Sequence, residues 1–193
     1  MNPLKRIHYN APVTLTFALI SAGTLILAHF TDGASDRLLF MVYRSSWTDP
    51  LAYLRIFTHA IGHADLTHFL SNFIIILLVG PMLEEKYGPK LIIIIMVITA
   101  FVTGVLWIIM SPYSKLGASG IVFMLILLSS FANMQKGRIP LTLILAVVIY
   151  LGQEVMSFAT MDGSSNIAYM SHIAGGICGA LFGFMANSRD GYR

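Results

Sequence analysis

Residues 91–110 read LIIIIMVITAFVTGVLWIIM and contain no charged side chain. A helix of this length rises about 30 Å, which matches the thickness of the hydrocarbon core of a bilayer. Helix breakers flank the stretch at Gly88, Pro89 and Pro112. The stretch therefore predicts a transmembrane helix.

Five further apolar stretches of similar length accompany it. Hydrophobic residues make up 56% of the chain and charged residues 11%, whereas a soluble domain carries about 25% charged residues. We therefore expect an all-α polytopic membrane protein that forms one domain over residues 1–193. The six expected spans are residues 14–30, 66–83, 91–110, 119–134, 141–158 and 169–187.

The distribution of cations predicts the orientation of these spans. Eight lysines and arginines fall on one side of the predicted bundle and four on the other, which places both termini in the cytoplasm by the positive-inside rule. The connection at residues 31–65 is long and is expected to fold onto the outer membrane face. The net charge of +3 sits in short loops and forms no basic face, so it does not indicate a nucleic-acid partner.

Three polar residues fall at one depth when the cytoplasmic helix ends are taken as a baseline. Ser119 and His172 each lie 15 positions before the end of their spans, or about 22 Å above it. His68 lies 16 positions before Glu84, or about 24 Å up. Polar groups inside a membrane are costly and are therefore candidates for function.

Ser119 stands in the string Gly117-Ala118-Ser119-Gly120 at the start of the short fourth span. Free backbone N–H groups and the helix dipole at that point can stabilise an anion. A serine that performs acyl transfer needs such donors where the oxyanion develops. A structural helix cap is the alternative role for this serine.

His172 is followed by glycines at offsets of three, seven and eleven, namely Gly175, Gly179 and Gly183. Such a stripe of small residues lets two membrane helices approach closely. If the stripe meets the fourth span, His172 can reach the Ser119 hydroxyl and act as its general base. The spacing alone does not name the partner helix, and the glycines can equally serve packing alone.

A histidine-rich string precedes the second span. His68 and Asn72 are four residues apart and share one helical face, so both side chains can donate hydrogen bonds to an oxyanion or to a neighbouring helix. A metal-binding membrane protein built on His59, His63 and His68 is a rival interpretation. It lacks an H-E-x-x-H string, and its spacings of four and five residues extend beyond one helical face.

Three other polar or reactive residues have structural roles as their simplest interpretation. Cys178 is the single cysteine, which excludes an intrachain disulfide and favours a small packing residue. Glu84 is expected either to remain solvated or to pair with Arg138 or another cation. Arg55, in the outer loop, is expected to bond loop carbonyls or lipid phosphate.

Taken together, these motifs resemble those of the rhomboid intramembrane serine proteases, of the six-helix bacterial GlpG type. The resemblance covers residues 55–183. Three strings carry it, in the family's order and on the family's helices. They are matched by His59, Ala60, His63, His68 and Asn72; by Gly117, Ser119 and Gly120; and by His172, Gly175 and Gly179.

The resemblance implies a catalytic dyad of Ser119 as nucleophile and His172 as base. It implies an oxyanion hole formed by His68, Asn72 and the Ser119 backbone N–H. Glu84 matches a family glutamate and Arg55 a family arginine, although Leu54 replaces the tryptophan that precedes that arginine. Phe123 replaces a common tyrosine that packs on the catalytic histidine, so stacking can persist without the hydroxyl.

The resemblance further implies that the partners are transmembrane protein substrates and membrane lipids. No cofactor and no metal are expected. The expected location is the inner membrane of a bacterium, with the site open to the outer face. A rhomboid-like protein that binds clients without cleaving them is the remaining alternative, and the presence of both Ser119 and His172 counts against it.

Overall fold

The fold is known from a computed structural model that describes residues 8–46, 48–132 and 166–190, together with residues 138, 141–142, 144–145 and 148–149. These residues are mostly helical, and they contain one isolated antiparallel bridge, between Val42 and Lys115. A short π-helical turn, Asp36–Phe40, lies in the connection at residues 31–65, which is called the outer loop after its expected position. The helices are α1 Pro12–Phe30, α2 Pro50–Thr58, α3 Leu66–Tyr87, α4 Pro89–Met110, α5 Ser119–Ala132 and α6 Asn166–Asp190.

The helical architecture expected from the sequence is confirmed for these residues. Three helices, α1, α3 and α4, are long and apolar enough to cross a membrane. The shorter apolar helices are Ser119–Ala132 and the part of α6 from Met170 to Ala186. Most of the expected fifth span, residues 141–158, lies outside the described residues. Six spans and cytoplasmic termini therefore stay predictions.

Local chemistry explains where the helices begin and end. Proline stands at the start of α1, α2 and α4, where its missing N–H costs no helical hydrogen bond. The Asp49 carboxylate accepts a hydrogen bond from the Leu51 N–H, and Asp65 accepts one from the His68 N–H, so both act as N-caps. Gly88 ends α3 with a φ of +82°, which glycine adopts without strain.

The buried core joins α3, α4, α5 and α6, with Ile76, Ile95, Met124 and Cys178 among its members. The outward faces of the helices are also apolar, since Leu19, Ile74 and Leu78 are each at least 65% exposed. A water-soluble protein rarely exposes so much apolar surface. These faces suit contact with lipid, in agreement with a protein that spans the membrane.

Glu84 fastens the start of α1 to the end of α3. Its buried carboxylate accepts hydrogen bonds of 2.8 and 2.9 Å from the Val13 and Thr14 N–H groups, and one of 2.8 Å from the Thr14 hydroxyl. The carboxylate thus caps free N–H groups at the positive end of the α1 dipole. The expected solvated charge or pairing of Glu84 with a cation is replaced by this cap, because the N-terminus of α1 supplies the positive potential.

Arg55 organises the outer loop. Only 2% of its side chain is exposed, and it donates hydrogen bonds to the Leu38 carbonyl and the Ser45 hydroxyl. It also forms an ion pair with Asp49 and lies 4.4 Å from the centre of the Tyr43 ring. The hydrogen bond from Arg55 holds the pKa of Asp49 below its usual value. Arg55 therefore bonds the loop internally.

Candidate active site

The segment before α5 is attached to the outer loop through its backbone. The Val42 N–H donates to the Lys115 carbonyl at 2.8 Å, and the Lys115 N–H donates to the Val42 carbonyl at 2.9 Å. The Gly117 N–H donates to the His59 carbonyl at 2.8 Å. These three bonds fix the entry of the chain into α5, and with it the position of Ser119 as the first residue of that helix.

Ser119 is half-buried, and the imidazole of His68 lies beside the string that contains it. Gly117 has a φ of +127°, a conformation that side chains rarely adopt. A Cβ atom at Gly117 would lie 2.6 Å from Cε1 of His68. Only glycine therefore lets the His68 ring approach the backbone two residues before Ser119.

The glycine stripe of α6 packs on α5, which identifies its partner helix. A Cβ atom at Gly175 would overlap the Gly120 carbonyl oxygen, and one at Gly179 would overlap the Met124 carbonyl oxygen. The two backbones are thus in direct contact over one helical turn. His172 precedes Gly175 by three residues on α6, and Ser119 precedes Gly120 by one on α5, so both stand at the same end of this contact.

The ring of His172 stacks on the ring of Phe123. Their centroids are 4.4 Å apart and their planes differ by 9°. Phe123 is one turn after Ser119 and shares its helical face. The Gly175 contact and the Phe123 stack therefore position the half-buried imidazole on the side of α5 that carries Ser119.

Asn72 is buried one turn after His68 on α3. Its Nδ2 donates a hydrogen bond of 2.9 Å to the His68 carbonyl. That bond uses one of the two N–H donors of the amide. The His68 ring also makes an edge contact with the His63 ring, with centroids 5.2 Å apart. His68 thus lies beside the Gly117 backbone before Ser119, and Asn72 follows His68 by one turn on α3.

His59 and His63 are buried in the outer loop rather than presented to a ligand. Burial lowers the pKa of His59 to about 3 and that of His63 to about 4, so both rings are neutral. Nδ1 of His59 lies 2.9 Å from the Ile56 carbonyl oxygen. Across the residues that the structure describes, no group of three or more histidine, cysteine, aspartate or glutamate side chains is placed to hold a metal ion.

Lys115 is the residue at this site that the motifs did not indicate. It lies four residues before Ser119, and its charge acts on the imidazoles of His59, His68 and His172. Its ammonium stands 5.2 Å from the centre of the Trp107 ring. The only available signal in the sequence is a lysine in the short connection between two apolar spans.

Comparison with known proteins gives one family. The Rhomboid domain model matches residues 50–189, which is well over half of the 193 residues. The matched range includes every residue named above as a member of the candidate site.

Two curated proteins are similar to this chain at low identity. Rhomboid protease GluP of Bacillus subtilis (strain 168) is 25% identical, over 91% of this chain and 35% of that protein. The mitochondrial RHOMBOID-like protein 12 of Arabidopsis thaliana is 23% identical, over 88% of this chain and 56% of that protein. The chain thus spans about a third and about half of their lengths, and the GlpG type stays a prediction.

Proposed function

Since the chain belongs to the rhomboid family, we propose that it is a serine endopeptidase that cleaves other membrane proteins within or next to the bilayer. Ser119 is the nucleophile and His172 is the general base. The observation that carries the proposal is the stack of the His172 ring on Phe123, one turn from Ser119, over a backbone contact between Gly175 and Gly120. These contacts support a position of the imidazole on the side of α5 that carries the serine.

The first chemical step is acylation. His172 accepts the hydroxyl proton of Ser119 while the oxygen attacks the carbonyl carbon of the scissile peptide bond. Negative charge then develops on the former carbonyl oxygen. The Ser119 N–H at the start of α5, together with the side chains of His68 and Asn72, would donate hydrogen bonds to that oxygen. His172 returns its proton to the leaving amine, and an acyl-enzyme remains.

Hydrolysis of the acyl-enzyme completes the reaction. A water molecule loses a proton to His172 and attacks the ester carbon, and Ser119 leaves with a proton from the imidazole. No step requires a cofactor. Water must reach Ser119 from one membrane face. Ser119 and His172 are only half-buried, which supports such access.

The substrates in this proposal are transmembrane or membrane-adjacent segments, and lipids are the surrounding partners. The eight-to-four distribution of cations favours cytoplasmic termini. The proposed location is the inner membrane of a bacterium, with the site open to the outer face. Six spans in total, including residues 141–158, are part of the same proposal.

Substitution of the dyad tests this function. In S119A and H172A, cleavage of a model single-span substrate should fall by about 10³-fold or more, because each variant removes one part of a unit. The matched controls are S129A, a second serine on α5, and H29A, an exposed histidine at the end of α1; both should cleave normally. Undiminished hydrolysis by folded S119A would contradict the assignment, and an uncleaved substrate with wild-type protein would favour a client-binding role.

A further inference from the structure

Lys115 differs from the other cations of the outer side in what it contacts. Arg55 pairs with Asp49, Arg44 donates to the Ile108 and Ile109 carbonyls, and Arg37 donates to the Asp32 carbonyl. Each of these three cations thus has an oxygen partner. Within the part of the chain that the structure describes, the Lys115 ammonium has neither a carboxylate nor a carbonyl partner. It lies instead over the face of the Trp107 ring, 5.2 Å from the ring centre.

The position of Lys115 is fixed by surrounding structure. Its backbone N–H and carbonyl are both bonded to Val42 of the outer loop. Trp107 is buried and donates its Nε1–H to the Tyr113 carbonyl at 2.7 Å, so the ring that supports the ammonium is held in place. Lys115 is half-buried, and this burial lowers the pKa of its amine to about 7.

The charge of Lys115 reaches the groups proposed to react. It acts on His172 of α6, His68 of α3 and His59 of the outer loop. A half-buried ammonium without an anionic partner is costly. A carboxylate brought by the substrate would supply that partner, at a point four residues from the proposed nucleophile.

We propose that Lys115 is a specificity-determining residue, which binds an acidic side chain of the substrate close to the scissile bond. This inference rests on the proposed proteolytic function. A charge-assisted pair in a partly buried setting would favour an aspartate substrate over its asparagine counterpart by about tenfold.

Matched substrates test the inference. A single-span substrate receives aspartate or asparagine, one position at a time, at the three positions on either side of the cleaved bond. Cleavage is compared as the ratio of kcat/KM for each aspartate and asparagine pair, so each enzyme variant serves as its own reference. The wild-type protein should prefer aspartate by about tenfold at one or two positions.

Three variants separate charge from packing. K115R should keep the preference for aspartate, because the cation remains. K115M keeps an apolar stem against Trp107 and should bring the aspartate-to-asparagine ratio of kcat/KM to about one. K115E should cleave a substrate with lysine at the same position faster than the asparagine substrate. The ratio cancels the shared dependence on His172, so its decline above about pH 7 would report the Lys115 amine alone. A wild-type ratio of one at every position, or an unchanged ratio in K115M, would overturn the inference.

Binding to the S119A protein distinguishes this inference from the proposed function. The affinities of the aspartate and asparagine substrates for S119A and for S119A/K115M are measured in detergent micelles, where no hydrolysis is needed. Preferential binding that depends on Lys115 without cleavage by wild-type protein would refute proteolysis and leave Lys115 as a carboxylate-binding residue of a client-binding protein. Cleavage of the asparagine substrate by wild-type protein without any binding preference for aspartate would support proteolysis and refute the inference about Lys115.

Discussion

The α1–α3 pair and the α5–α6 pair both pack through a glycine, but they differ in the environment of the polar group beside the contact. In each pair a glycine lets the neighbouring helix approach: a Cβ atom at Gly80 would lie 2.7 Å from Cγ2 of Thr14, and one at Gly175 would overlap the Gly120 backbone. In each pair a polar group stands beside the contact. That group is Glu84 in the first pair and His172 in the second.

The difference lies in how the polar groups are satisfied. Glu84 is 3% exposed, and its carboxylate accepts three hydrogen bonds from the start of α1. Ser119 and His172 are half-buried, and the His172 ring stacks on Phe123. A fully buried, hydrogen-bonded charge stabilises the helix pair, whereas the half-buried serine and histidine are partly exposed beside their helix contact.

Among changes to the contacts within the two helix pairs, the largest effect should come from adding one methyl group to the α5–α6 contact. In G175A the new Cβ meets the Gly120 carbonyl, so the helices must separate, at a cost of about 1–3 kcal/mol in the free energy of unfolding. The separation carries His172 away from Ser119, and cleavage should fall by about 100-fold. Thermal unfolding in detergent micelles and the cleavage rate are the measurements.

The matched control for this change is the adjacent glycine. A Cβ atom at Gly176 would lie 3.7 Å from Cγ of Leu127, which is ordinary contact, so G176A should resemble the wild-type protein in both measurements. Wild-type cleavage and stability in G175A would show that the α5–α6 contact does not position the site.

A smaller effect, confined to stability, is expected at the α1–α3 pair. E84Q replaces one acceptor oxygen by an amide donor that faces the N–H groups of Val13 and Thr14, and should lower the free energy of unfolding by about 1–3 kcal/mol. Cleavage per folded molecule should stay unchanged. The exposed neighbour Glu85 supplies the control E85Q, which should alter neither quantity. A loss of cleavage in folded E84Q would contradict the conclusion that the α1–α3 pair contributes to stability and only the α5–α6 pair contributes to the reaction.

Sequence reasoning succeeded where the chemistry is local. The long apolar runs predicted five of the six described helices within a few residues, because bilayer thickness and the prolines at helix starts constrain them. They did not predict α2, which lies in the connection at residues 31–65. The glycines after His172 predicted a close helix contact for a similar reason: their offsets repeat at helical spacing. The roles of Ser119, His172, His68 and Asn72 remain predictions that the geometry supports.

The features that the sequence did not predict depend on contacts between residues distant in the chain. Glu84 bonds to Thr14, which is 70 residues away in the chain. The free N–H groups at the start of a helix can attract a carboxylate as strongly as a lysine or arginine can, and the sequence does not show which of these partners Glu84 meets. The partner of the glycine stripe was open for the same reason. Lys115 counted only as one cation among twelve, since its position beside Trp107 and the histidines depends on the bridge to Val42.

The central claim is that His172 activates Ser119 in a pocket reached by water. Labelling of the folded protein with a fluorophosphonate tests it most directly, with the modified residue located by mass spectrometry. We expect labelling of the wild-type protein at Ser119, none at that position in S119A, and labelling at least about 100-fold slower in H172A. An unreactive Ser119 in folded protein, or an equal rate in H172A, would contradict it.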